Sequence, residues 1–91
     1  MTDVRIVKVS TSWCGPCRIL GPEFEKVSKD PELQDFSFEN IDGDEDLDAI
    51  ERLGITSFPT IVVLNGEEKI NAIQGAHPEA KLKQLILEAV A

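Results

Sequence analysis

The chain predicts an α/β fold: a four-stranded mixed sheet in the order β-α-β-α-β-β-α, with helices on both faces. Three observations carry this. A β-branched, nearly apolar run over residues 4–10 gives way directly to helical spacing. Asn65-Gly66 stands between two strand-like runs, as in a tight hairpin. Apolar residues recur every three or four positions in three separate segments.

Residues 4–10 (VRIVKVS) are apolar on both parities, which predicts a strand covered on both faces, with Lys8 as its exception. Thr11-Ser12-Trp13 carries helix-start signals, and Cys17, Leu20, Phe24 and Val27 form an apolar stripe. Pro22 lies within this stripe and predicts a kink, because the Arg18 carbonyl loses its donor; Asp30-Pro31 closes the segment. Residues 36–41 alternate Phe36 and Phe38 with polar neighbours and read as a second strand, parallel to the first through a right-handed crossover.

Five acids between Asp42 and Asp48 precede a short helix with Leu47, Ile50 and Leu53 at helical spacing, Arg52 in its last turn and Gly54 after it. The acidic cluster reads as a dipole-matched, solvated face, since it lacks the spacing of a calcium loop. Residues 60–64 form the third strand, Asn65-Gly66 the turn, and residues 68–74 a returning edge strand. After Gly75, Pro78 fits a first helical turn, and Leu82, Leu85, Ile86, Ala89 and Val90 form the last stripe.

The 91 residues predict one domain, 1–91, with a single modest core. A net charge of -8 disfavours nucleic acid and anionic membranes as partners. Met1-Thr2-Asp3 shows no signal-peptide pattern, and the longest apolar run, residues 61–64, is too short to span a bilayer. A cytoplasmic location is expected, where a permanent structural disulfide is disfavoured.

Trp13-Cys14-Gly15-Pro16-Cys17 contains the only two cysteines and the only tryptophan. Cys14 falls at a helix start, where free N–H groups and the positive end of the dipole favour a thiolate. Cys17, one turn further in, is expected to be more buried and less nucleophilic. The spacing divides the labour: Cys14 attacks a disulfide, and Cys17 then resolves the mixed disulfide. Gly15 is expected to permit a tight turn and Pro16 to stiffen it without removing a needed donor. Arg18 adds positive potential or points to solvent. Two cysteines and one histidine fall short of a four-ligand zinc site. A structural disulfide closing so short a loop would stabilise little, and two buried cysteines acting as small hydrophobes remain an alternative.

WCGPC after an apolar strand, with Ser57-Phe58-Pro59-Thr60 downstream, resembles the thioredoxin family. Asn40-Ile41-Asp42, Gly54-Ile55, Asn65-Gly66-Glu67 and Gly75-Ala76 extend the match over nearly the whole chain. The resemblance implies a thioredoxin-like fold and a thiol–disulfide oxidoreductase with Cys14 as nucleophile and Cys17 as resolving thiol. It further implies Pro59 as a cis-proline facing them. Trp13, Gly15, Pro16, Phe58, Pro59, Gly75 and Ala76 would form an apolar rim for substrate polypeptides, with the Phe58 backbone pairing to an extended strand.

By the same resemblance no cofactor is needed beyond a reversible Cys14–Cys17 disulfide. The partners are a thioredoxin reductase or similar flavin donor and disulfide-containing targets, ribonucleotide reductase among the acceptors by analogy, with the protein itself a monomer. The chain looks like a short, minimal-core member, near glutaredoxins in size and lacking an extra N-terminal strand and helix, so residues 36–41 are expected to form an exposed edge. Phe58 departs from the small aliphatic common at its position.

The family usually has a buried aspartate six residues before the nucleophile, and Lys8 stands there instead. Lys8 is expected either to lower the cysteine pKa values or to carry its amine to solvent over a buried stem. His77 reads as a linker or cap. Three alternatives accompany the reductase: a glutathione-dependent, glutaredoxin-like enzyme, a redox-independent docking subunit, and, remotely, a cluster-binding dimer.

Overall fold

The computed structural model describes residues 3–91. Strands β1 (Val4–Ser10), β2 (Ser37–Asp42), β3 (Thr60–Asn65) and β4 (Glu68–Gln74) form one sheet in the order β2-β1-β3-β4. β1 runs parallel to β2 and antiparallel to β3, and β3 pairs antiparallel with β4. Helices α1 (Gly15–Ser28), α2 (Leu47–Leu53) and α3 (Glu79–Val90) connect or follow the strands as expected, and a short 3-10 turn (Pro31–Leu33) occupies the link before β2.

The two parities of β1 serve two cores. Ile6 packs with Leu20, Phe24 and Val27 of α1 and with Leu82 and Ile86 of α3. Val7 and Val9 pack on the opposite face with Leu53, Ile55, Val62 and Leu64. Burying each such aliphatic side chain contributes about 1.5–3 kcal/mol, which makes the inner strands β1 and β3 the rigid base from which the loop at residue 11 emerges.

α1 continues through Pro22 to Ser28. Its buried residues are the four expected: Cys17, Leu20, Phe24 and Val27. β2 begins one residue later than the Phe36 start that the alternation suggests, and among the described residues it pairs only with β1, so it is an edge.

Three local expectations are corrected. The hairpin turn is Gly66-Glu67, closed by the Asn65–Glu68 pair, and only Gly66 has a positive φ (63°). Glycine tolerates that conformation, so the strand extends through Asn65. Leu47 is 72% exposed, because Asp46 caps α2 through Ala49 N–H (2.9 Å) and leaves Leu47 on the outer side of its first turn. Pro78 caps α3 from outside instead of lying in its first turn.

Candidate active site

β1 ends at Ser10, and the following loop delivers both thiols to the start of α1. Cys14 is the N-cap residue, with φ -90° and ψ 116°, and its Sγ accepts the Cys17 N–H at 3.2 Å. A sulfur therefore fills the capping role usually taken by a hydroxyl or carboxylate oxygen. Gly15 and Pro16 open the helix, where a missing proline N–H costs nothing. Gly15 is not in a left-handed conformation, and a Cβ there would meet no atom within 4 Å. It thus keeps the surface beside Cys14 low, and the turn itself does not require it, contrary to expectation.

Both cysteines are free thiols, and their exposures are nearly equal, 5% for Cys14 and 6% for Cys17. The expected contrast in burial is absent; their surroundings differ instead. Burial pushes the Cys17 thiol up, and the hydrogen bond to Cys14 and the charge of Cys14 push the same way. The Thr11 backbone N–H and the Lys8 ammonium oppose them.

The Phe58–Pro59 peptide is cis. Pro59 is fully buried, and Thr60 Oγ1 donates to Ser57 O at 2.8 Å, which ties the loop to the start of β3. Gly75 N–H donates to Pro59 O at 3.0 Å. Gly75 has φ 88°, a value that glycine adopts without strain, so the residue after β4 can turn back onto this loop. Ala76 is half-buried against the α1–α3 core, and His77 Nε2 lies 3.0 Å from Gln74 O, a linker contact.

Trp13 is 69% exposed and is held at two points. Its ring meets Phe58 edge-on at 5.8 Å, and its Nε1 donates to Asp44 Oδ1 at 2.9 Å. The other Asp44 oxygen accepts Ser12 N–H (2.9 Å) and Ser12 Oγ–H (2.8 Å). These donors, the Ser12 N–H foremost, hold the Asp44 carboxyl below the usual aspartate range. Arg18 points to solvent. Lys8 lies behind the thiols, with Nζ 5.5 Å from the centroid of the Phe24 ring.

Two contributors escaped sequence reasoning. Asp44 was hidden in an acidic run that reads as a solvated face, and the indole whose N–H it accepts lies 31 residues away in the chain. Ile19, 65% exposed next to the thiol turn, lines a shallow groove with Ala76 and Pro78. It lies off the α1 stripe, and an apolar residue on the outer face of a helix beside a reactive thiol was the available sign. Among the described residues no cluster of three or more His, Cys, Asp or Glu could hold a metal ion, and no helix is long and apolar enough to cross a membrane.

Fold and site together define an α/β protein with a dithiol at a helix N-terminus and a cis-proline at the start of β3. The family model for thioredoxin matches residues 2–88. Thioredoxin of Mycoplasma pneumoniae is 43% identical over 82 residues, covering 89% of this chain and 78% of the relative. Thioredoxin of Malassezia sympodialis is 35% identical over 85 residues, covering 93% and 80%. The solved structure of the Malassezia sympodialis thioredoxin superimposes with a TM-score of 0.88 at 33% identity, covering 99% of this chain and 77% of that one. The chain belongs to the thioredoxin family. Thioredoxins are protein-disulfide oxidoreductases, served in general by thioredoxin reductase and acting on disulfide-bearing proteins.

Proposed function

We propose that this chain is a thioredoxin-type reductase of protein disulfides that works through Cys14 and Cys17. The observation that carries the reading is the Cys17 N–H···Cys14 Sγ contact of 3.2 Å at the N-cap of α1. A donor aimed at sulfur at a helix N-terminus stabilises negative charge on Cys14 as nucleophile or leaving group.

Cys14 thiolate attacks one sulfur of the target disulfide. The Cys14–target bond forms, the target's own S–S bond breaks, and the second target sulfur leaves as a thiolate. Cys14 then carries no charge and no longer holds Cys17 as a protonated neighbour. Of the influences that push the Cys17 thiol up, only burial persists, while the Thr11 N–H and Lys8 continue to act against it. Cys17 loses its proton to water and attacks Cys14. The Cys14–Cys17 bond forms, the Cys14–target bond breaks, and the remaining target sulfur leaves as a thiolate, so the target departs reduced. A flavin donor such as thioredoxin reductase returns two electrons, and no bound cofactor takes part.

The substrate rim is Trp13, Gly15, Pro16, Phe58, Pro59, Gly75 and Ala76, joined by Ile19. Its exposed apolar residues, Trp13 and Ile19, flank the low surface at Gly15. An extended target segment would pair with the Phe58 backbone. By family analogy the targets include ribonucleotide reductase, and the working site is the cytoplasm, with residues 1–91 acting as one monomeric domain.

The test is reduction of a protein disulfide with dithiothreitol or a thioredoxin reductase as donor. Mixed disulfides trapped on a Cys17→Ser variant should be absent from Cys14→Ser. Failure with both donors, or activity with glutathione alone, overturns the reading.

A further inference from the structure

Lys8 is the one charged residue on β1 that faces the α1–α3 core. It pairs in register with Ile61 on β3 and Asn40 on β2, and its neighbour of the same parity, Ile6, is fully buried. Its amine has travelled under α1. A Cβ built on Gly21 would lie 3.7 Å from Nζ, an ordinary contact. Gly21 and Cys17 are four residues apart on α1 and so share a face, separated by about one turn, or ~5.4 Å of rise. Nζ also stands 5.5 Å from the Phe24 ring centroid. It lines a cleft of about 290 Å³ bounded by Gly21, Phe24, Glu25, Ser28, Phe38 and Asn40.

Few charges share this neighbourhood. Glu25, the only acid lining the cleft, is paired with Lys29 at 3.3 Å. Arg18 on α1 is exposed, and Phe38 and Asn40 on β2, Thr60 and Ile61 on β3 and Thr11 in the loop are uncharged. Among the described residues no carboxylate forms an ion pair with Lys8, and its ammonium sits over the Phe24 ring. The remaining groups able to take a negative charge there are Cys14 and Cys17.

We infer that Lys8 is a positioning residue for the resolving step, a fixed cation beneath α1 that favours the Cys17 thiolate when it attacks the mixed disulfide. The inference rests on the assignment of Cys17 as resolving thiol. The Cys17 proton passes to water. The Phe24 ring holds the ammonium beside Gly21, about one turn along α1 from Cys17. Its attraction acts on Cys17 from a half-buried position, where screening by salt is weaker than between exposed charges. The direction of the Lys8 effect on Cys17 agrees with this geometry.

Two measurements test it, and the first needs no substrate. In a Cys14→Ser background, Cys17 is titrated by thiolate absorbance with Lys8, Lys8→Met, Lys8→Gln and Lys8→Arg, each checked for folding by its urea midpoint. The neutral variants should lower the thiolate fraction near neutral pH by about tenfold, and Lys8→Arg should keep it within about twofold of the parent. In the two-cysteine protein, release of a target from a preformed Cys14 mixed disulfide should slow by the same factor at neutral pH. That difference should vanish at a pH where Cys17 is fully ionised. Identical titrations for Lys8 and both neutral variants overturn the inference, as does a slowing that is equal at every pH, the mark of a structural defect. Because the titration is independent of turnover, failure of the reductase assignment and failure of this inference are separately visible.

Discussion

Trp13 Nε1 donates to Asp44 Oδ1 at 2.9 Å, joining the residue before Cys14 to the loop between β2 and α2. The same carboxylate binds the Ser12 N–H and hydroxyl, so one side chain fixes two consecutive residues of the thiol loop. Asp44→Ala should free both. Trp13 is the only tryptophan, so its fluorescence anisotropy reports the change directly and should fall. Turnover of protein disulfides should drop by about tenfold, less than the hundredfold that a 1 Å misplacement of reacting atoms can cost. Asp44→Asn, which keeps an acceptor, should lie between.

This clamp has a pH signature. Asp44 titrates below its ordinary value because the folded protein offers donors, Ser12 N–H first, that the unfolded chain lacks. Its contribution is therefore complete above the ordinary aspartate value of about 3.9 and is lost as pH falls through the lower folded value. Trp13 anisotropy should be flat from neutral pH down to about 4 and decline below that in the parent alone. A flat profile in both parent and Asp44→Ala would refute the clamp.

Gly43 supports the site from below. A Cβ there would lie 3.0 Å from Ile50 Cδ1, 3.0 Å from Phe58 Cε1 and 3.1 Å from Thr11 Cγ2. All three are side-chain atoms, and Thr11 is buried while Ile50 and Phe58 pack against the α2-side core, so none can move freely. Gly43→Ala should destabilise by about 1–3 kcal/mol, as overpacking does. Since Phe58 also touches the Trp13 ring, the variant should shift Trp13 emission in the folded state. A lower urea midpoint with unchanged emission would mean that the strain is relieved through Ile50 instead.

The order of elements was readable because period-two and period-3.6 patterns alternate cleanly, and the redox site because two thiols, a glycine and a proline are contiguous. Asp44 and Gly43 were not readable. Their roles depend on the loop after β2 folding back onto the loop after β1, a contact spanning 31 residues between Trp13 and Asp44 that no local pattern encodes. The supposed contrast in burial between Cys14 and Cys17 failed as well, since both are buried to nearly the same degree, and helix position alone does not encode how the rest of the chain covers each thiol.

The short helix α2 tests this limit of periodicity. Leu47, Ile50 and Leu53 have helical spacing, yet Leu47 is 72% exposed and Leu53 only 8%. Leu53→Ala should cost about 2–4 kcal/mol through loss of burial and a residual cavity. Leu47→Ala should change stability by less than about 0.5 kcal/mol. Equal losses in urea melts would mean that Leu47 is covered in solution.

Arg5 secures the β2 edge. Its Nε and Nη2 donate to the two Glu39 oxygens at 2.8 and 3.0 Å, and Nη1 reaches Gly66 O at 3.0 Å across the β3–β4 turn. The fork matches a carboxylate in a way that lysine cannot, so Arg5→Lys should lose most of the effect. The pair is part-exposed, with side-chain exposures of 30% and 38%, which limits the coupling to about 1 kcal/mol. Arg5 holds Glu39 below the usual glutamate range, mainly through the hydrogen bond. The coupling is therefore present above the ordinary glutamate value of about 4.3 and is lost as pH falls through the lower folded value. An Arg5→Met, Glu39→Gln double-mutant cycle should give a coupling that is constant at neutral pH and fades in acid; a coupling near zero at every pH would mean that Arg5 acts through Gly66 O and Glu67 instead.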